Sequence, residues 1–230
     1  DLLLHQLGVG RRIQHDRRRD VTLRHVHLSA GADPLPLQQL GKPRGVAQMP
    51  GDGPTWVSGY VNLPDKSGMS RLAGTYVKIK PPMEAYQCGL CVWNDESERF
   101  EHLRTLWTKS EKTLDQPPAP QGHPTIVDGD DGRKWALFGD PLPKLRCPAT
   151  FEDWQDPAKW ESLTPQEFIP SASDGTKVVP HSGAIAWNAF RQRWVTVFMQ
   201  ALGKPSAFGE IWYAEAQSPY GPWGPAVKVL

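Results

Sequence analysis

Three carboxylates, two imidazoles and a guanidinium stand where this chain could build acid–base chemistry. His123 opens HPTIVDGDDGRKWALF and His181 opens HSGAIAWNAFRQRWVTVF. Both stretches pass through small and β-branched residues, turn through polar ones, and return on a tryptophan-led apolar run. Glu84 follows a Pro-Pro-Met turn, Asp140 follows WALFG, and Glu210 follows Gly209 at the start of IWYAEA. Hydrolysis by paired carboxyls needs one acid of raised pKa and one base or nucleophile. Glu210 is the expected acid, because desolvation at the start of an apolar strand raises a carboxyl pKa. Glu84 and Asp140 are its candidate partners. His123, His181 and Arg146 are the candidate substrate-binding groups, and Trp56 offers an aromatic face for stacking.

Each of these residues also has a purely structural reading. A histidine at a strand start commonly serves as a hydrogen-bonded anchor. Glu210 can accept backbone hydrogen bonds, and Arg146 can pair with Asp140 or another nearby carboxylate. Glu84 can be a solvated loop residue. Trp56, Trp135, Trp187, Trp194, Trp212 and Trp223 read chiefly as core wedges, leaving one or two to stack on a ligand.

The elements that would position these groups are strands. The chain has 230 residues with 21 glycines, 23 prolines and ten tryptophans. So many turn formers between aromatic-rich short runs indicate an all-β protein. PTWVSGYVN and RLAGTYVKI flank a turn, as do YQCGLCVW and FEHLRTLW. HPTIVDGDDGRKWALFGD reads as a hairpin on an Asp-Gly-rich turn. LPKLRCPAT reads as a further strand, and FEDWQDPAKWESL as a helical turn or strap. IAWNAFRQRWVTVFMQ and GEIWYAEAQSPYGPWGPAVKVL supply two more hairpins.

Units therefore begin near Pro54, His123 and His181, each an up-and-down sheet of about four strands. A four-stranded sheet cannot cover both its faces alone. Radial repetition solves this, so the expected fold is a β-propeller with blades over about 54–107, 122–165 and 179–230. A two-layer sandwich is the rival architecture. Corresponding strand starts would converge on one rim of the axis, and with them the two histidines. Three blades do not close a ring, which points to a fragment or to self-association through open blade edges.

GEIWYAEAQSPYGPWGPAVKVL resembles the blade signature of five-bladed propellers of the arabinanase and invertase type of glycoside hydrolases. There a strand ending in A-x-S or A-x-A leads into a Gly-Pro-Trp turn. GLCVWNDESERFEHL is similar to their recurring hairpin, with Asn94, Asp95 and Arg99 replacing the usual small residues. The run RLAGTYVKI…HPTIV…HSGAIAWN…RWVTVFMQ…FGEIWYAEA resembles uncharacterised bacterial propellers of the same superfamily, over residues 45–230. The resemblance implies a carbohydrate-active protein with a glycan site at one rim, in which two carboxyls would flank the scissile bond. Asp52, in MPGDGPTW, stands nearest the catalytic aspartate of the family's first blade but lacks its sequence context. The alternatives are a non-catalytic propeller that binds glycan or protein, and an inactive fragment. No cofactor is implied, although a propeller channel leaves room for calcium.

Residues 1–50 differ in texture. Residues 1–28 hold six arginines and three aspartates, and a Pro-rich linker follows. The segment lacks the aromatic interleaving of a nucleic-acid arm. A net charge of +1 gives the whole chain no electrostatic case for nucleic acid or membrane. Three cysteines, Cys88, Cys91 and Cys147, read as buried thiols, the Cys-x-x-Cys pair having no second pair to complete a metal site. The sequence shows no signal peptide or transmembrane run and leaves the compartment open.

Overall fold

The computed structural model describes residues 45–230 except Pro205. The arginine-rich segment, the His25/His27 pair and the Pro-rich linker lie outside the described residues. Gly45–Leu230 form one compact unit.

Three four-stranded antiparallel sheets follow one another along the chain. The first comprises β1 (Thr55–Pro64), β2 (Ser70–Lys80), β3 (Glu84–Asn94) and β4 (Arg99–Thr108). The second comprises β5 (Thr125–Asp128), β6 (Lys134–Gly139), β7 (Pro143–Pro148) and β8 (Glu161–Ser162). Between β7 and β8 run a short helix, α1 (Phe151–Gln155), and a single 3-10 turn, Pro157–Lys159. A small hairpin, β9 (Ile169–Pro170) and β10 (Lys177–Val178), precedes the third sheet: β11 (Pro180–Asn188), β12 (Arg193–Gln200), β13 (Ile211–Ala216) and β14 (Val227–Lys228). Strand order equals chain order in all three four-stranded sheets. That is the up-and-down topology of propeller blades, and it lacks the crossovers of a Greek-key sandwich. The β9–β10 hairpin was not expected. Its signal was Ser-Asp-Gly between two apolar pairs, a turn too short-flanked to stand out.

The hairpins form for a repeated local reason. An Asp or Asn at the turn accepts a backbone N–H two or three residues on: Asp65 from Ser67, Asn94 from Glu96, Asp131 from Arg133 and Asn188 from Arg191. These Asx turns hold the chain reversal without help from distant residues.

Packing between sheets follows the pleat. In β6, Trp135 and Leu137 join a cluster with Ile185, Phe198 and Trp212 of the third sheet. Ala136 and Phe138, on the opposite face, join Val61, Leu63, Ala73 and Leu90 of the first sheet. Successive side chains of a strand alternate faces, so one six-residue strand feeds two cores. The first sheet closes its other face with Met49 from the preceding segment, over Tyr76, Cys91 and Phe100. The third sheet instead leaves Val197 and Val227 half exposed.

The first strands approach at backbone distance. Gly59 N in β1 donates to Gly122 O at 2.9 Å, just before β5. A Cβ on Gly59, where φ is +68°, would lie 2.1 Å from Pro120 O. A side chain there is excluded both by conformation and by space.

Two substitutions test this packing. Phe138→Ala should cost about 3–5 kcal/mol through the void it leaves. Gly59→Ala should cost about 2 kcal/mol or more from strain and overlap, while Gly68→Ala, at φ +82° with nothing within 4 Å, should cost only about 1 kcal/mol. Urea midpoints provide the measurement. Equal midpoints for Gly59→Ala and Gly68→Ala would contradict the close approach of β1 to the second sheet.

Candidate functional site

The antiparallel order gives each sheet a corresponding end. Where β1, β5 and β11 begin, β2, β6 and β12 end, and β3, β7 and β13 begin again. Glu84, His123, Asp140, His181 and Glu210 all fall at that end, opposite the β1–β2, β5–β6 and β11–β12 turns.

Only part of the expected set is brought together. His123 lies two residues before β5, and Asp140 directly follows β6. His123 Nδ1 is 3.3 Å from Asp140 Oδ1. The same carboxylate reaches into the third sheet, accepting from Gly183 N at 2.8 Å and from Ser182 Oγ at 3.4 Å. Asp140 thus ties the second sheet to the first strand of the third, 43 residues away. Ser182 and Gly183 were missed as part of this site, because a backbone N–H leaves no mark in the sequence.

The cluster's electrostatics are asymmetric. The hydrogen bond to Asp140 raises the His123 pKa above its ordinary 6.5, with burial opposing and the Asp140 charge assisting. Burial pushes the Asp140 carboxyl up, but bonds from His123, Gly183 N and Ser182, with the imidazolium charge, bring it below its ordinary 3.8. Both side chains remain substantially exposed, at 57% and 42%, so the pair stays open to a ligand. It presents a carboxylate acceptor beside an imidazole whose affinity for a proton that carboxylate raises.

His181 does not mirror His123. The register of β11 against β12 jumps between Pro180 and Ser182, which leaves His181 as the extra residue of a bulge. A bulge re-aims its side chain. The imidazole packs on Phe208, with ring centroids 4.8 Å apart.

Glu84 and Glu210 each make their ion pairs within their own sheet. Glu84 is held between Lys109 and Lys80. Bonds first to Lys109 and then to Lys80 depress its pKa, the opposite of what an acid catalyst needs. Glu210 is buried at 6% exposure, as expected at its place before β13. Its Oε1 is 2.6 Å from Lys228 Nζ of β14, a lysine in the adjacent strand that was not considered as its partner. The same end holds another group that sequence reading missed. Lys78 is 3% exposed and donates to Gly53 O at 2.6 Å and Thr55 Oγ1 at 3.1 Å. Burial lowers its pKa.

Arg146 is not joined to the His123–Asp140 pair. It sits in β7, the third strand of its sheet, directly opposite Glu161 of β8. Its partners are Glu161 and Tyr220, not Asp140. The pleat directs it to the Trp135 side, where its guanidinium lies 4.2 Å over the indole ring. Trp56 is half exposed on β1. Trp135, Trp212 and Trp223 are buried wedges, whereas Trp187 is half exposed and packs edge-on against Trp194. The three cysteines are buried and unpaired, their thiols pushed up by burial to about 11, 12 and 12 for Cys88, Cys91 and Cys147. Among the described residues, no three His, Cys, Asp or Glu side chains are grouped to hold a metal ion. Nor is any helix there long and apolar enough to cross a membrane.

No protein-family model and no curated protein matches this chain. Solved structures do. The endo-1,5-alpha-L-arabinanase from Thermotoga petrophila RKU-1 is similar over 73% of this chain and 39% of its own, at 14% identity and a TM-score of 0.39. A family 43 glycoside hydrolase, the YxiA protein from Bacillus licheniformis, is similar over 71% and 37%, at 13% identity and a TM-score of 0.41. The GH43_1 enzyme from Xanthomonas citri complexed with xylose is similar over 69% and 50%, at 12% identity and a TM-score of 0.37. The chain spans half or less of the length of each. All three TM-scores lie below 0.5, and the likeness is distant.

The His123–Asp140 pair fixes a pH dependence. A raised histidine pKa contributes stability that is complete below about 6.5 and is lost as pH climbs through the folded value. A depressed aspartate pKa contributes stability that is present above 3.8 and is lost as pH falls through the folded value. The pair is therefore strongest between those limits. In an NMR titration the His123 imidazole should show a midpoint above 6.5, and Asp140→Asn should bring it down. An unchanged midpoint in Asp140→Asn would show that the imidazole and the carboxylate do not interact.

Proposed function

We propose that this protein is a carbohydrate-active propeller that binds a glycan at the rim where His123 and Asp140 meet the start of β11. One observation carries the reading. Asp140 is a half-exposed carboxylate shared between two sheets, with the His123 imidazole beside it. A carboxylate and an imidazole side by side match the acceptor and donor faces of neighbouring sugar hydroxyls. Half-exposed Trp56, on the first strand of the neighbouring sheet, supports the reading as an aromatic surface for a sugar face.

Binding without cleavage is favoured over hydrolysis by the state of the other carboxyls. Cleavage needs a proton donor opposite the base. Glu84 is held ionised by two lysines, and Glu210 would have to release Lys228 before it could act. The hydrolytic reading is retained for Glu210 alone, whose burial at a strand start is the environment such an acid requires.

A glycan panel including arabinan and xylan fragments separates the two. For any glycan bound in calorimetry, Asp140→Asn should weaken affinity about tenfold, equivalent to about 1.4 kcal/mol, and Glu210→Gln should leave it unchanged. No new reducing ends should appear. Release of reducing ends that Glu210→Gln abolishes would replace binding by hydrolysis, and binding indifferent to Asp140→Asn would remove the rim site.

A further inference from the structure

The flank between the second and third sheets carries a groove of about 270 Å³, separate from the rim. Leu142, Pro143, Arg146, residues 163–166, Tyr220 and Trp223 line it. Tyr220 belongs to the turn after β13 and is 42% exposed.

The polar groups in this groove are fixed but not exhausted. Arg146 Nε donates to Glu161 Oε2 at 2.8 Å, and Nη1 donates to the Tyr220 hydroxyl at 3.3 Å. The guanidinium carbon lies 4.2 Å from the centre of the Trp135 ring. A guanidinium has five N–H groups, so some remain available. Tyr220 accepts from Arg146, which leaves its own proton to give. Glu161 Oε1 has no hydrogen bond among the described residues. Donors and an acceptor thus lie side by side, on side chains already ordered by one another, which lowers the entropy cost of binding.

This arrangement selects the chemistry of its ligand. Glu161 already neutralises Arg146, so an anion gains little. A wholly apolar ligand would leave the open valences of the ion pair unmet, which is costly. A neutral molecule with one apolar face and a hydroxylated edge satisfies both. Its apolar face would lie on the Tyr220 ring and the walls of Pro143, Leu163 and Pro165, and its hydroxyls on Arg146 and Glu161. The volume suits one sugar ring, just below the range of about 300–1,000 Å³ usual for larger ligands. We propose that this groove is a second carbohydrate-binding subsite, taking one neutral pyranoside ring between Tyr220 and the Arg146–Glu161 pair. The proposal stands apart from the rim reading, since the two places share no residue.

The test titrates the full ¹⁵N-labelled chain with methyl β-D-xylopyranoside and methyl β-D-glucopyranoside, with glycerol as a polyol control. The indole N–H signal of Trp223, which lines the groove, reports on it and is assigned by Trp223→Phe. At least one glycoside should give a saturable shift, with a dissociation constant of about 1–10 mM. Tyr220→Ala should weaken it tenfold or more. Tyr220→Phe keeps the ring and the fold and should weaken it about threefold. Asp140→Asn should leave the isotherm unchanged. No saturable shift with either glycoside, an equal response to glycerol, or an isotherm lost in Asp140→Asn but kept in Tyr220→Phe would overturn the proposal.

Discussion

The structure depends on the burial of one sheet by its two neighbours. The second sheet has no solvent face at β6, where Trp135 and Leu137 turn to one side and Ala136 and Phe138 to the other. Neither adjoining sheet could bury its own apolar side without it. The close approach at Gly59 belongs to the same constraint. Two sheets that share a core on one face must bring their first strands together, and at that point only a residue without a side chain fits.

That packing also decides where charge can go. At the corresponding end of each sheet, polar side chains emerge from strand ends whose backbone groups are already paired. They find one another or a lysine on the next strand. Glu84 takes two lysines, Glu210 takes Lys228, and Asp140 takes an imidazole and a backbone N–H of the neighbouring sheet. Asp140 differs from the others in one respect: its partners come from two sheets. It lies at a junction, and a ligand at a junction can meet residues from both sides.

The flank of the same junction shows a related arrangement. Arg146 is clamped by Trp135 beneath it, Glu161 beside it and Tyr220 above the groove. A groove remains there between the second and third sheets. Aromatic and cationic side chains line it.

Local chemistry was legible in the sequence. The turn residues Asp65, Asn94, Asp131 and Asn188 act within two or three positions, so the hairpins, their order and their four-strand grouping could be read directly. The burial of Glu210 followed from its place before an apolar run. The pairings were not legible. Asp140 finds Gly183 across 43 residues, and Lys228 finds Glu210 across 18. His123 and His181 looked equivalent until a bulge at His181 turned that imidazole towards Phe208. Arg146 was read as a possible partner of Asp140, but its strand position pairs it with Glu161. The sequence by itself determined which segments become strands and where they reverse, because those choices are settled by neighbours along the chain. Tertiary structure alone decided which charges meet, because register, bulges and the approach of separate sheets set those distances.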